Sequence, residues 1–520
     1  MYALLLLGCP PPTPPPPPGG VEIIEISVPS CADPAAREQG SPFEMFELAD
    51  ATPATETYVW GGGIAAEDFD GDGQHELITA RDGVIEYLDW TGSEWVPRDG
   101  IPDIEMDKGF GATAVDLDAD GDFDVLITRW GQPNHVLDND GSGTFSVATD
   151  RFGLAGPAGH HSAASSFADI DGDGDLDALV AGHGFIDEEN PDPTLFSPAD
   201  DTLLYENQGG GFVDIRDRIP PEAHGRYTFI GGLVDLDVDG DPDLLMINDF
   251  GRRYRSGQLL WNDEGSFRPD RNAAGLDLPI AGMGLGVAEV NGDGVPDVLV
   301  PYWAGYAMMI SSGPLWADFS TASGLVPNTA QNQTVGWGAM FGDLDNDGWD
   351  DAIVMHGWID TAISDSDPVQ PDALYLRSSP TGWANITEPW GQIDTGDNRG
   401  LVVADLDGDG WLDYARPDLN GPTRVYMGRC GSSRFLDVQL VQSGLNPAAV
   451  GAVVEAVTED RRIWRRVAAG GEGLGSSRPA ELHFGLGDLE FVDLQIRWPD
   501  GSETELRDVQ TGRRIQIRRR

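Results

Sequence analysis

The chain has 520 residues, long enough for more than one core, and its 88 acids against 32 bases give a formal net charge of -56. A surface so acidic excludes nucleic acid and anionic membrane as partners over most of its area. With 40% hydrophobic residues, 15 Trp and 19 Phe, the chain is also too apolar to be an acidic disordered polymer.

At the start, residues 1–8 form a short apolar run that ends in Leu6-Leu7-Gly8-Cys9 and resembles the lipobox of a bacterial lipoprotein signal. That resemblance implies lipidation of Cys9 and a secreted or cell-surface location, with residues 9–40 as a stiff Pro-rich tether. No other segment approaches the roughly 18 apolar residues of a membrane span, so the protein is expected to be anchored, not spanning. Cys31 and Cys430 are the two remaining cysteines, either a disulfide or two separate core residues.

One pattern, D-x-D-x-D-G-x-x-D, then recurs seven times, at starts separated by 48, 53, 66, 54, 54 and 62 residues. Its odd positions are Asp68, Asp70, Asp72, Gln74 and Glu76 in the first copy, and Asp116, Asp118, Asp120, Asp122 and Asp124 in the second. The third has Asp169, Asp171, Asp173, Asp175 and Asp177, and the fourth Asp235, Asp237, Asp239, Asp241 and Asp243. The fifth reads Glu289, Asn291, Asp293, Val295 and Asp297, the sixth Asp343, Asp345, Asp347, Trp349 and Asp351. The seventh closes the series with Asp405, Asp407, Asp409, Trp411 and Asp413.

Such a loop suits Ca²⁺, which takes six to eight oxygens. Positions 1, 3 and 5 supply carboxylates, position 7 its carbonyl, and position 9 closes the shell, while the glycine at position 6 permits the turn. An EF-hand is disfavoured because apolar β-branched runs flank the loops and no Glu stands at position 12. The alternative is a metal-free Asp-Gly hairpin, which would leave several carboxylates repelling one another. Up to seven Ca²⁺ are expected, with the fifth loop the weakest site. The loops hold 31 of the 88 acids, so bound calcium would offset only part of the charge. The closed, repeated ligand shells suggest a structural role for the metal.

The flanks repeat too. A small-residue run such as Gly111–Val115 precedes each loop, and an apolar run such as Val125–Thr128 follows it. A third strand appears as Leu203–Asn207 or Ala373–Arg377, and a fourth around an aromatic, as in Gly143–Thr149 or Trp316–Ala322. Four strands per unit, repeated seven times, predict an all-β, seven-bladed propeller over 41–430. The seventh unit lacks a fourth strand, which Pro42–Leu48 is placed to supply; Cys31 and Cys430 would then flank the closing blade, a candidate disulfide clasp.

These loops and flanks resemble the FG-GAP/VCBS repeats of integrin α-like propellers, and Gly282–Val300, Gly336–Val354 and Asn398–Asp413 are most similar to the cartilage-acidic-protein group. Residues 431–520, with Asn446–Ala452, Leu482–Gly487 and Trp498–Gly501, resemble the ASPIC/UnbV module of that group. That tail balances 13 bases against 13 acids, and its alternating runs predict a small β-sandwich-like domain. Its arginine-rich segments, Arg461–Arg466 and Arg513–Arg520, either face the acidic propeller or are solvated strand faces.

Blade geometry puts the cation loops on one face and the connections between second and third strands on the other. On that opposite rim lie two long insertions, Gly182–Asp201 and Gly357–Asp372, together with Arg252, Arg253, Arg255, Tyr302, Trp303 and Tyr306 as candidate partner contacts. The leading functional expectation is an extracellular calcium-binding module for adhesion or protein interaction. Alternatives are a carbohydrate-binding or polysaccharide-acting propeller, and an accessory subunit of a surface or biosynthetic complex. No catalytic constellation is evident: His160, His161, His183 and His356 stand near strand ends without partners in the sequence, so an enzyme is not expected.

Overall fold

The computed structural model describes residues 20–29, 31, 37, 41–48, 61–184, 199–251, 254–327, 334–359, 370–380, 382–393 and 395–520. Cys9, the apolar start and Arg252 and Arg253 lie outside these residues.

Each repeat folds as one antiparallel sheet whose strands follow chain order, with its apolar second strand buried. In the first repeat the order is Gly63–Glu67, Glu76–Arg81, Val84–Trp90 and Trp95–Pro97. The next five repeats give the same up-and-down sheet, from Gly109–Val115 in the second to Trp383–Asn385 in the sixth. The seventh has only Val402–Ala404, Asp413–Arg416 and Arg424–Gly428 of its own, and Phe43–Glu47 adds its outer strand in antiparallel register, Phe43 opposite Gly428. Successive sheets pack face to face as propeller blades: Ile230, Leu245 and Leu259 of the fourth interleave with Val287, Val298 and Ala307 of the fifth. Cys31 and Cys430 are joined in a disulfide beside the closing blade.

The tail is a sandwich of two four-stranded sheets. One pairs Arg462–Arg466, Val453–Val457, Phe491–Arg497 and Glu503–Gln510. The other runs Val21–Ile26, Arg513–Arg519, Arg434–Gln442 and Glu481–Gly487. Leu436, Val438, Val454, Phe484, Leu494 and Ile496 fill the space between them. Val21–Ile26 corrects the tether assignment: it is an edge strand of the tail sheet, paired antiparallel along Arg514–Arg519. Composition alone hid it, because the proline run next to it dominates that stretch.

The innermost strand of a propeller blade is a sheet edge, with backbone groups that need partners. Here the tail supplies them. Residues 469–478 enter the axis of the ring, where Ala469–Gly470 pairs with Ser166 and Phe167 of the third blade. Gly471 N–H donates to Ser165 O (3.1 Å), Ala112 N–H to Gly475 O (2.9 Å), and Leu285 and Gly473 exchange both bonds (3.1 and 2.8 Å). Ser477 does the same with the first blade, accepting from Ala66 N–H and donating to Ile64 O. Glycine is required by close approach: a Cβ on Gly63 would lie 1.9 Å from Gly475 O, and Gly475 itself has φ +59.

Candidate metal centres and the face that carries them

Every repeat loop joins the first strand of its blade to the second, and the seven share a common set of turn bonds from which the fifth departs. The glycine at position 6 has a positive φ throughout, from 81 at Gly294 to 109 at Gly240. The carboxylate at position 5 accepts the N–H of position 7 in each loop, as Asp120 does from Asp122 (3.0 Å) and Asp347 from Trp349 (2.9 Å). The position 1 carboxylate accepts the glycine N–H, as Asp116 does from Gly121 (3.1 Å) and Asp169 from Gly174 (3.0 Å). One requirement was missed at sequence level. Position 4 also has positive φ, and there Ala119 (φ 61), Val238 (φ 62) and Asn346 (φ 56) stand where four other loops have glycine.

Position 9 does more than close a shell. In the second to seventh loops one of its oxygens accepts the N–H of position 2 and the other an N–H from the third strand, as Asp124 does from Leu117 and Asn139. Asp177, Asp243, Asp297, Asp351 and Asp413 repeat this pair of bonds. The carboxylate therefore staples three backbone segments together, with lone pairs left over for an ion.

What remains is a set of oxygens with no hydrogen to bind. Asp68 Oδ1, Glu76 Oε1, Asp116 Oδ1, Asp118 Oδ1, Asp171 Oδ1, Asp235 Oδ1 and Asp345 Oδ1 are buried and accept nothing. In five loops at least three carboxylates can each bring an oxygen to within 4.8 Å of the others: Asp68, Asp70, Asp72 and Glu76; Asp116, Asp118 and Asp124; Asp169, Asp171 and Asp177; Asp235, Asp237 and Asp239; Asp343, Asp345 and Asp347. Three unit charges at that spacing repel by about 10 kcal/mol at an effective dielectric of 20, comparable to the whole stability of a domain. Without an ion, the relief is protonation. Burial pushes Asp116 up to about 7, Asp124 to about 8 and Glu76 to about 9, and carries Asp343, Asp351, Asp405 and Asp413 well above the usual range. A hard divalent cation removes the same penalty with oxygens already in place, so the donor set fits calcium.

The fifth loop differs. Glu289 Oε1 accepts the N–H groups of Asn291, Gly292 and Asp293, Asn291 turns its amide N–H to Ser311 O, and the Ser311 hydroxyl donates to Asp293. Its carboxylates carry no orphaned buried oxygen among the described residues. The turn is satisfied by its own protein bonds.

Arginines belong to these loops, and the sequence reading missed them. Arg98 bonds Asp70 in the first loop, Arg151 bonds Asp118 in the second, and Arg218 bonds Asp171 in the third (3.3 Å). The signal was available as a pairing: each also reaches an acid on the third strand of its blade, Asp89 (3.8 Å), Asp138 (2.8 Å) and Glu206 (2.5 Å).

The tail covers this loop face. Arg461 donates to Gly348 O (2.9 Å) and Arg514 to Gly73 O, the position 6 carbonyl in two different loops. Arg497 bonds Asp235 (3.1 Å), Arg465 bonds Asp350 (2.8 Å), and His483 bridges Asp437 and Asn346 at 2.7 Å each. Both arginine-rich tail segments thus meet the acidic propeller.

On the opposite rim the candidate contacts separate. Arg255 is spent on the carbonyls of Glu222 and His224. Tyr302 and Trp303 are half-buried against blade cores. Tyr306 is a correction: it is buried, its hydroxyl 2.7 Å from His356 Nε2, because its strand position points between blades. The histidines do have partners: His160 contacts Ser162 Oγ and Asp201 O, His161 Nδ1 lies 2.7 Å from Asp200, and His183 packs on Trp130, Tyr227 and Phe229. Burial lowers His356 to about 4, so it stays neutral. No helix among the described residues is long and apolar enough to cross a membrane.

Comparison with known proteins agrees with this architecture. The FG-GAP-like repeat family matches residues 68–127, 116–180 and 235–300, and the ASPIC and UnbV family matches 442–520. The chain is similar to cartilage acidic protein 1 of Mus musculus, 24% identical over 506 residues that cover 87% of this chain and 72% of the relative. The Homo sapiens protein is 23% identical over 492 residues, covering 78% and 70%. Among solved structures, an Agrocybe aegerita lectin that recognises non-reducing terminal N-acetylglucosamine superposes with a TM-score of 0.40 at 15% identity, over 73% of this chain and 87% of that one. BBS1N in complex with ARL6DN gives 0.45 at 10% identity, over 75% and 98%.

Proposed function

Because this chain is an FG-GAP-repeat β-propeller that ends in an ASPIC/UnbV domain, we propose that it is an extracellular calcium-binding interaction module. Its partner, a protein or glycan of the cell exterior, is met by the rim opposite the cation loops. The observation that carries the metal reading is the convergence of buried carboxylate oxygens that lack any hydrogen donor in five loops. Asp68, Asp116, Asp169, Asp235 and Asp343 with their position 3 and 5 neighbours would hold the ions. Calcium supplies positive charge that offsets their repulsion and fixes the hairpin of each blade. The self-satisfied fifth loop would hold none.

The location follows from the same chemistry. A disulfide between Cys31 and Cys430 suits an oxidising compartment. The choice of rim rests on the tail, which roofs the loop face and fills the axis, leaving the far rim for a partner. An adhesion role and a lipid anchor at Cys9 belong to this proposal as well.

Metal analysis of the dialysed full chain, followed by calcium titration after chelation, tests the first part. Five or six calcium ions per chain are expected; a chain that takes up none overturns it. For the partner, an array of glycans and extracellular proteins is probed with and without chelator. Binding that is abolished by substitutions on the loop face and untouched on the far rim overturns the assignment of the face.

A further inference from the structure

The first three blades share a device that the others lack among the described residues. In each, a guanidinium from the segment just after the fourth strand grips the position 3 carboxylate of the cation loop and an acid on the third strand. Arg98 joins Asp70 to Asp89, Arg151 joins Asp118 to Asp138, and Arg218 joins Asp171 to Glu206. The acid has a fixed place. Asp138 and Glu206 immediately precede Asn139 and Asn207, whose N–H groups bond the position 9 carboxylate. At that place the fourth to seventh blades have Trp261, Ile310, Leu376 and Met427, before the N–H groups of Asn262, Ser311, Arg377 and Gly428. Among the described residues no arginine forms an ion pair with Asp237, Asp345 or Asp407, the position 3 acids of the other loops. Acid and arginine occur together or not at all.

The chemistry of the shared carboxylate gives the device a purpose. In the second and third loops the guanidinium takes Oδ2 of Asp118 and Asp171, while Oδ1 of each is buried without a donor. In these two loops one oxygen is held by protein and the other is left for the ion, whereas in the first loop Asp70 Oδ1 also accepts the Asp72 N–H (3.1 Å). We propose that Arg98, Arg151 and Arg218 are positioning residues of the first three cation loops: each fixes the position 3 carboxylate through its Oδ2, and each supplies the charge that keeps the loop closed before the ion arrives. This rests on the calcium reading above. An arginine and a cation on one carboxylate repel each other, so the bridge stabilises the empty loop more than the loaded one. By linkage, it weakens binding at these sites while protecting their apo form.

The test uses the full chain with R98Q/R151Q/R218Q and the matching Lys variant, followed by hydrogen exchange in calcium and in chelator. The N–H groups of Leu117 and Ile170 report on the second and third loops, and those of Leu344 and Leu406 on loops without the bridge. In chelator the Gln variant should exchange Leu117 and Ile170 about tenfold or more faster than wild type, with Leu344 and Leu406 unchanged. In calcium the difference should fall below about threefold, three sites should bind calcium several-fold more tightly, and the Lys variant should recover part of the protection. Equal acceleration with and without calcium, weaker binding at the three sites, or full exchange of the wild-type loops in chelator overturns the proposal. Failure of the calcium reading is separate, since the chain would then bind no calcium at all.

Discussion

Replacing both cysteines of the clasp, C31S/C430S, tests how the ring is closed. The bond joins residues 399 apart in sequence, so its loss frees nearly the whole propeller in the unfolded chain. The chain-entropy relation for a loop of that length gives about 6 kcal/mol as a ceiling. The folded state should change little, because Phe43–Glu47 keeps its five register pairs with Arg424–Gly428 and Val21–Ile26 keeps its six with Arg514–Arg519. Most of the effect should therefore act on the unfolded chain, lowering stability by roughly 3–5 kcal/mol with native circular dichroism intact. Urea unfolding in calcium, followed by tryptophan fluorescence, reads it: Phe46 meets Trp90 edge-on at 5.3 Å, so opening of the seam between the last and first blades is visible. An unchanged midpoint in the Ser variant and in the reduced wild type would refute the reasoning. A fluorescence change before unfolding would instead mean that the clasp holds the folded seam.

Val238→Gly should stabilise the chain by about 0.5–1 kcal/mol, since relief of the left-handed penalty outweighs glycine's extra unfolded-state entropy, and Val238 is 39% exposed at φ 62; a lower denaturation midpoint would count against the strain. Gly63→Ala drives a Cβ to within 1.9 Å of Gly475 O and 2.6 Å of Gly111 Cα, and should cost about 3 kcal/mol or more or expel the axial segment, seen as new proteolysis within residues 469–478. Burial raises Asp116 and Asp177 to about 7 and Asp124 and Asp243 to about 8 in the folded, ion-free chain. Raised carboxylates stabilise the fold below their unfolded values near 4, and that contribution is lost as pH climbs toward 8. The gap in melting temperature between calcium and chelator should therefore widen from pH 5.5 to pH 8, and a constant gap would show that these groups do not titrate with folding.

The sequence determined the repeat. Seven loops with acids at alternate positions and glycine at position 6 dictate their own turn, because the bonds that close the turn itself join residues of the same loop. Apolar runs beside them dictate strands for the same local reason. The missing fourth strand of the last repeat also pointed to Phe43–Glu47, since a blade cannot leave that edge bare. Other features depended on groups far apart in sequence. Val21–Ile26 is a strand only because Arg513–Arg519 arrives beside it, and Tyr306 is buried only because His356 of the next blade covers it. The arginine bridges span 28 to 47 residues, and the plug joins Ser477 to Ile64 across the whole ring. Local pattern encodes bonds that close within a turn; those between sheets depend on how the ring stacks, and that only the folded chain decides.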